Sequence, residues 1–467
     1  MTTQDSRAAC PADHVGILAL EVYFPAQYVD QAALEVFDGV SHGKYTVGLG
    51  QAAMAFCSEQ EDVVSMSMTA VQRLLEKYDI DPRSIGRLEV GTESAVDRSK
   101  SVKTFLMALF EESGNHDIEG VDSINACYGG TAALFNAVNW VESRAWDGRL
   151  AIVVASDIAM YSAGPARPSG GCGAVAMLVG PNAPLALERQ VSASYMENAY
   201  DFYKPCGLYP LIDGRRSVMC YLMALDKCYA TLCRKHRQQH VHSAAASAVR
   251  TADNGHAHRE REPAGTDSQS AQGSVLHSGP SMQSSKGMPH PLSHCTPDPG
   301  GIFSEESYTD RELEKAALQA SAAVFEQKVA PSTLLATQCG NLYTGSLYAG
   351  LASLVNAKGS QLAGRRILMF SYGSGIAAGM FIIRAREVPG KFGLANIQAK
   401  GDLEARLAAR TSVQPAQFVS TLHTLEQRYS TCGYQPAASP TPLLPGTYFL
   451  RAVDDQYRRS YGMMPPA

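Results

Sequence analysis

The runs "RLAIVVASDIA" (149–159) and "GGCGAVAMLVG" (170–180) are apolar along most of their length. They are too short to cross a membrane and carry no sustained polar face, so they read as strands of a buried sheet. "HVGILALEVYFP" is a third buried strand, ending at Pro25, and "IGRLEVGTES" (85–94) a fourth, stopping at a polar loop. Among them, "EDVVSMSMTAVQRLLEKYDI" (61–80) and "VKTFLMALFEES" (102–113) place apolar residues at helical spacing. Strands alternating with helices predict an α/β fold, a mainly parallel sheet covered by helices. The 467 residues, 45% of them hydrophobic, can fill a large core and suit two domains or one duplicated one.

After about residue 236 the character changes. "HRQQHVHSAAASAVRTADNGHAHREREPAGTDSQSAQGSVLHSGPSMQSSKGMPHPLSHCTPDPGG" contains no Ile, Phe, Tyr or Trp and is rich in Ser, His, Gly and Pro. Such a stretch buries too little apolar surface to offset its ordering entropy, so roughly 240–300 is expected to be disordered or loosely attached. Its histidines have irregular spacing and no partner cysteine motif, so no metal site is expected. Order is expected to resume with a helix in "SYTDRELEKAALQASAAVFEQKV" (307–329). "STLLATQCGNLYTGSLYAGLASLV" (332–355) reads as strand, loop and helix, and "GRRILMFSYGSGIAAGMFIIRA" (364–385) as strand, glycine turn and strand. The pieces 122–143 and 333–355 share one shape, which hints at an internal duplication. The expected organisation is a tail over 1–14, a first half over 15–235, a low-complexity insert over 236–302 and a second half over 303–467.

The formal net charge is −5, with Lys and Arg spread along the chain. No basic stripe for nucleic acid is present, and no run of about 18 apolar residues implies a membrane span. "MTTQDSRAACPADHVGILAL" lacks the charged and apolar regions of a secretory leader, so none is expected. The eleven cysteines are odd in number and lack metal-ligand spacing. They read as reduced thiols of a cytosolic protein.

One cysteine stands apart. In "VDSINACYGGTAALFNAVNW" (121–140) an apolar run ends at Cys127, two glycines follow, and a helical pattern begins. A thiol at a helix N-terminus meets free N–H groups and the positive dipole end, which favour the thiolate and lower its pKa. The glycines would let backbone approach a bound substrate. A buried structural cysteine is the alternative reading of the same residues. Glu93, in "VGTES" just past a buried strand, is a candidate acid/base, since a carboxylate held partly out of water exchanges protons closer to neutrality. "FSYGSG" (370–375) offers glycine-flanked backbone suited to an oxyanion hole. An exposed loop glutamate and an ordinary tight turn are the alternatives for these two.

Together "DGVSHGKYTVGLGQ", "VGTES", "NACYGGTAALFNAVNW", "AYDFYKP" and "SYGSG", in that order, resemble the hydroxymethylglutaryl-CoA synthase family of condensing enzymes. The resemblance covers about 15–235 and 303–390, with an echo in "PGTYFLRAVDDQYRRSYG" near the C-terminus. It implies a thiolase-like fold of two pseudo-duplicated halves in α-β-α-β-α layers. It also implies condensation of acetyl-CoA with acetoacetyl-CoA through an acetylated Cys127, with Glu93 as acid/base, on the mevalonate route to isoprenoids. By the same resemblance, the backbone N–H of Ser374 joins that of Cys127 in the oxyanion hole. Asn341, Ser169 (where the family has threonine) and Ser217 contact the substrate, Asp157, Tyr161 and Asp201 surround it, and Lys44 lies near the CoA entrance. The CoA thioesters are substrates, so no cofactor and no metal is implied. A homodimer in the cytoplasm is.

The resemblance breaks in two places. Pro165 stands where the family has a substrate-facing asparagine. The low-complexity stretch replaces a segment resembling "FHSPYCKLVQKS", which carries a catalytic histidine and CoA-binding lysines. The weak counterpart here is His277 in "LHSGPSMQSSKG". A catalytically impaired or non-catalytic paralogue, or another acyltransferase of the thiolase superfamily, is therefore the alternative function.

Overall fold

The computed structural model describes residues 12–253, 274–277, 307–439 and 441–466. Nine strands form one large sheet: β1 (Gly16–Tyr23), β2 (Ile85–Gly91), β3 (Asp122–Ser123), β4 (Leu150–Ala159), β5 (Gly171–Gly180), β6 (Leu185–Met196), β7 (Ser274–His277), β8 (Arg366–Gly373) and β9 (Ala377–Ala385). Their spatial order is β7-β8-β9-β6-β1-β5-β4-β2-β3. The segment 16–180 contributes β1 to β5 and the segment 185–385 contributes β6 to β9, with β7 at 274–277. They meet where β1 pairs with β6 at Gly16↔Ala186 and Ile17↔Leu185.

The sheet is mixed, which corrects the mainly parallel expectation. Parallel pairing is confined to β3–β2–β4 and β7–β8. The other neighbouring pairs are antiparallel. Connection length decides this. Residues 374–376 alone join β8 to β9, and so short a link forces the chain to double back, whereas a parallel pair needs a long crossover.

Four helices layer the sheet. Helix α1 (Val63–Lys77) packs on β1, β4 and β5, and α2 (Gly129–Val141) on β2 and β4. Helix α3 (Gly214–Asp253) covers β6, β8 and β9, while α4 (Ser346–Lys358) lies on β7, β8 and β1. The two halves close over α2 and α4. Thr131 of α2 donates to Ser371 Oγ of β8 at 2.8 Å and shares a 2.9 Å hydrogen bond with the Tyr348 hydroxyl of α4. Phe135 of α2 meets Phe381 of β9 edge-on at 5.1 Å. Taken as layers, α1, the β1–β5 part of the sheet, α2 with α4, the β6–β9 part of the sheet and α3 follow the expected five-layered, thiolase-like architecture.

Local chemistry explains where α1 begins. Asp62 accepts from Ser65 N at 2.8 Å and Ser65 Oγ accepts from Asp62 N at 2.9 Å, a reciprocal cap that satisfies two orphan amides. Two expectations change here. Leu334–Cys339 is a short helix, not a strand. Leu, Ala and Gln favour helix, and Ser353 Oγ accepts from Leu335 N at 3.1 Å, so the shape shared with 122–143 does not extend to this segment. The expected insert is also partly ordered: α3 runs unbroken past 236 to Asp253, and β7 adds a strand beside β8. The rest of the insert and most of the tail over 1–14 lie outside the described residues.

Candidate active site

Cys127 sits between the end of β3 and the start of α2, with φ at +52°, a backbone region that side chains other than glycine seldom occupy. Tyr128 is the residue that precedes the helix. The glycine pair that follows faces protein, not an open substrate space. A Cβ on Gly129 would lie 2.5 Å from Ser123 O, and one on Gly130 2.7 Å from Thr344 O. These glycines let α2 approach the sheet and the 341–346 loop, which corrects the expectation that they open the way to substrate. Gly373, at the end of β8, is equally constrained: its Cβ would meet Ala126 O at 1.8 Å. That close approach brings the "SYGSG" turn against the Cys127 loop.

Two carboxylates gather at the thiol. Glu93 Oε2 accepts the Cys127 amide at 2.7 Å. Asp157, fully buried on β4, accepts from Thr92 Oγ1 at 2.9 Å, Glu93 N at 2.8 Å and Ser94 Oγ at 2.8 Å on one oxygen. On the other it accepts from Thr344 N at 3.0 Å and Thr344 Oγ1 at 2.5 Å. Asp157 thus ties the Glu93 loop of the first half to the 341–346 loop of the second. Burial and the charge of Glu93 push its carboxyl up to about 6. The counter-charge is Lys204, whose Nζ lies 2.7 Å from Glu93 Oε1.

The thiol does not titrate as the helix terminus alone predicts. Burial raises its pKa well above the ordinary range, and the charges of Glu93 and Asp157 raise it further, against a lowering by Lys204. At rest the sulfur is a protonated thiol. The helix terminus is outweighed because the fold drives two anions and an apolar wall against the same atom. That wall is Tyr161, Tyr343 and Phe202, with Cys127 packed on it. Tyr343 stands edge-on to Tyr161 at 6.2 Å and to Phe202 at 5.8 Å. Burial holds both phenols above their ordinary range.

The remaining predicted residues divide. Ser169 interacts with the Tyr161 hydroxyl and donates to Ala166 O at 2.7 Å. Asn341 Oδ1 accepts from Tyr343 N and from Ser346 Oγ, both at 2.8 Å, so it shapes the loop that presents Tyr343. Asp201 is fully buried and accepts from the Tyr372 hydroxyl at 2.7 Å and from Gly375 N at 2.9 Å. It holds the "SYGSG" turn, and Ser374 is half-buried within that turn. Ser217 lies in the first turn of α3, its amide bonded to Asp213 O at 2.8 Å, and Lys44 is exposed on the 39–50 loop. No contact joins either of them to Cys127. His277 ends β7, paired with Phe370 three residues before Gly373. Because β7 and β8 are parallel, the chain leaves β7 at the same end of the sheet as the Cys127 loop. Lys204, Tyr343 and Phe202 were not singled out by sequence. Lys204 and Phe202 nevertheless stand inside the quoted "AYDFYKP", where a cation among aromatics was the available signal.

A family model described as hydroxymethylglutaryl-coenzyme A synthase N terminal matches residues 11–184, and its C-terminal counterpart matches 185–464. The mitochondrial hydroxymethylglutaryl-CoA synthase of Homo sapiens is 48% identical over 97% of this chain and 89% of its own length. The cytoplasmic human enzyme is 47% identical over 98% and 88%. Among solved structures, MvaS in complex with 3-hydroxy-3-methylglutaryl coenzyme A superposes with a TM-score of 0.78 at 34% identity, covering 97% of this chain and 99% of that one.

Proposed function

The chain belongs to the hydroxymethylglutaryl-CoA synthase family, and on that footing we propose that it condenses acetyl-CoA with acetoacetyl-CoA on the mevalonate route. Acetyl-CoA gives its acetyl group to Cys127, releasing CoA, with the thiol proton passing to the departing thiolate. Glu93 then takes a proton from the acetyl methyl. The resulting carbanion attacks the ketone of acetoacetyl-CoA, and the new alkoxide is protonated from Glu93. Water cleaves the enzyme thioester, freeing Cys127 and leaving a carboxylate on 3-hydroxy-3-methylglutaryl-CoA. A thioester suits this chemistry because its α-protons are more acidic than those of an oxygen ester. We assign the oxyanion to the backbone N–H groups of Cys127 and Ser374, so the reaction as written draws on no metal and no cofactor beyond the CoA substrates. Ser169, Asn341, Tyr161 and Asp157 shape the acyl site, Asp201 holds the Ser374 turn, and Ser217 and Lys44 serve the outer, CoA-bearing part.

The observation that carries the reading is the Glu93 carboxylate 2.7 Å from the Cys127 amide. It puts a base beside the residue that would carry the acetyl group. Purified chain incubated with radiolabelled acetyl-CoA should retain label on the peptide containing Cys127, and added acetoacetyl-CoA should convert it to the six-carbon thioester. Absence of covalent label refutes the proposal.

For the imidazole we propose His277, supported by the parallel register of β7 beside β8. His277→Ala should keep the acetyl-enzyme and lower condensation about a hundredfold or more, read by product formation against labelled intermediate. The second reading is a chain that acetylates and hydrolyses without condensing, and the Ser-rich sequence after His277 favours it. Acetyl-CoA hydrolysis indifferent to acetoacetyl-CoA in the unaltered chain would select it.

We propose a homodimer built on the free edge of β3. That strand ends the sheet, and its neighbours Val121 and Ile124 are 60% and 68% exposed. Exposed backbone donors and acceptors beside apolar side chains invite pairing with a second copy. Ile124→Asp should sediment as a monomer where the unaltered chain sediments as a dimer. The location we propose is the cytoplasm, supported by free thiols at every described cysteine. The mitochondrial relatives name the compartment that cell fractionation must exclude.

A further inference from the structure

We propose that Lys204 is a positioning residue of the condensation: its ammonium keeps the Glu93 carboxylate aimed at the acyl group once the Cys127 amide has passed to the acyl oxygen. The inference rests on the condensing reaction proposed above. Before acylation Glu93 has two anchors, the Cys127 amide on Oε2 and Lys204 Nζ on Oε1, each at 2.7 Å. The acyl oxygen needs that same amide as its oxyanion donor. Loading the enzyme therefore strips Glu93 of one anchor just before it must act as a base, and the anchor left is Lys204.

Lys204 is itself held. Its Nζ lies 4.6 Å from the Tyr343 ring centroid and 5.5 Å from that of Phe202, so both aromatic faces attract the ammonium. It follows Phe202–Tyr203, a short strand paired with Leu211–Ile212, and that strand follows Asp201, the buried clamp on the Ser374 turn. One stretch of chain thus sets both the oxyanion turn and the cation. The lysine is 19% exposed in its side chain and Glu93 6%, so solvent screens the pair weakly.

The charges around Glu93 make the cation necessary. Facing it are Asp157 from β4, the Cys127 thiol from the β3–α2 loop, and the Tyr161 and Tyr343 hydroxyls. Each of these is neutral or negative. Lys204 supplies the positive charge toward which a carboxylate set beside Asp157 is drawn, and that attraction fixes the direction of Glu93.

The test uses the full chain and two readouts. Lys204→Met removes the charge at similar length, and Lys204→Arg keeps it. In the Met variant the acetyl-Cys127 species should still form, seen by intact-protein mass. Exchange of its methyl hydrogens with deuterium from solvent, which reads proton abstraction alone, should fall about a hundredfold. The Arg variant should recover most of the exchange. Exchange at the unaltered rate in the Met variant would overturn the proposal. So would equal loss of acetylation and exchange in both variants, the mark of a merely structural lysine. An unaltered chain that takes no acetyl group would instead sink the condensing reading, and this proposal with it, before any variant is compared.

Discussion

Cys127→Ser should leave no covalent acetyl intermediate and lower steady-state turnover by about 10⁴-fold or more. The local chemistry makes the loss steep. An oxygen ester would be a poorer carbon acid, and a hydroxyl, far less acidic than a thiol, stays protonated when buried beside two negative charges. Sulfur tolerates the same surroundings because a thiol sits far closer to ionisation, even though burial, Glu93 and Asp157 hold this one above its ordinary range. The acetyl-CoA labelling assay checks both parts. A serine variant that condenses at the unaltered rate would show that the acyl group travels by another residue.

Glu93→Gln should separate the two halves of the reaction. Condensation should drop about a thousandfold, since an amide cannot take the methyl proton, while acetylation of Cys127 persists. The thiol itself should become more reactive. Burial is the largest cause of its raised pKa, and the Glu93 charge is the next. Removing that negative charge and leaving Lys204 beside the sulfur stabilises the thiolate, so the pKa falls and more thiolate exists at neutral pH. Each unit of that fall gives about tenfold more thiolate, offset in part by lower nucleophilicity, so alkylation by iodoacetamide should rise about threefold per unit. An unchanged thermal unfolding transition in the variant separates this gain from exposure of the buried thiol by misfolding. Slower alkylation would mean that Glu93 activates the sulfur as a base instead of opposing its ionisation by charge.

These expectations show what kind of information each level holds. The signal for α1 is entirely local: apolar positions at helical spacing and an acidic residue at its start, which the Asp62–Ser65 cap bears out. The hairpin of β8 and β9 is local too, two apolar runs flanking "YGSG". Leu334–Cys339 misled for the same reason, since a six-residue apolar stretch carries too few turns for its period to declare helix over strand.

Most of the elements, their order, the family, and Cys127 and Glu93 as the pair to watch are legible in the residues alone, because periodicity, capping and motif spacing are properties of neighbours along the chain. Strand directions, the raised pKa of the sulfur and the partner of Glu93 emerge only in the folded chain. Separation along the chain is what divides the two kinds. Residues 93, 127, 157 and 204 interact through a low-dielectric space that exists only after the sheet closes over α2 and α4. The helix terminus that promised a thiolate is overruled there by anions that sequence reading places dozens of residues away.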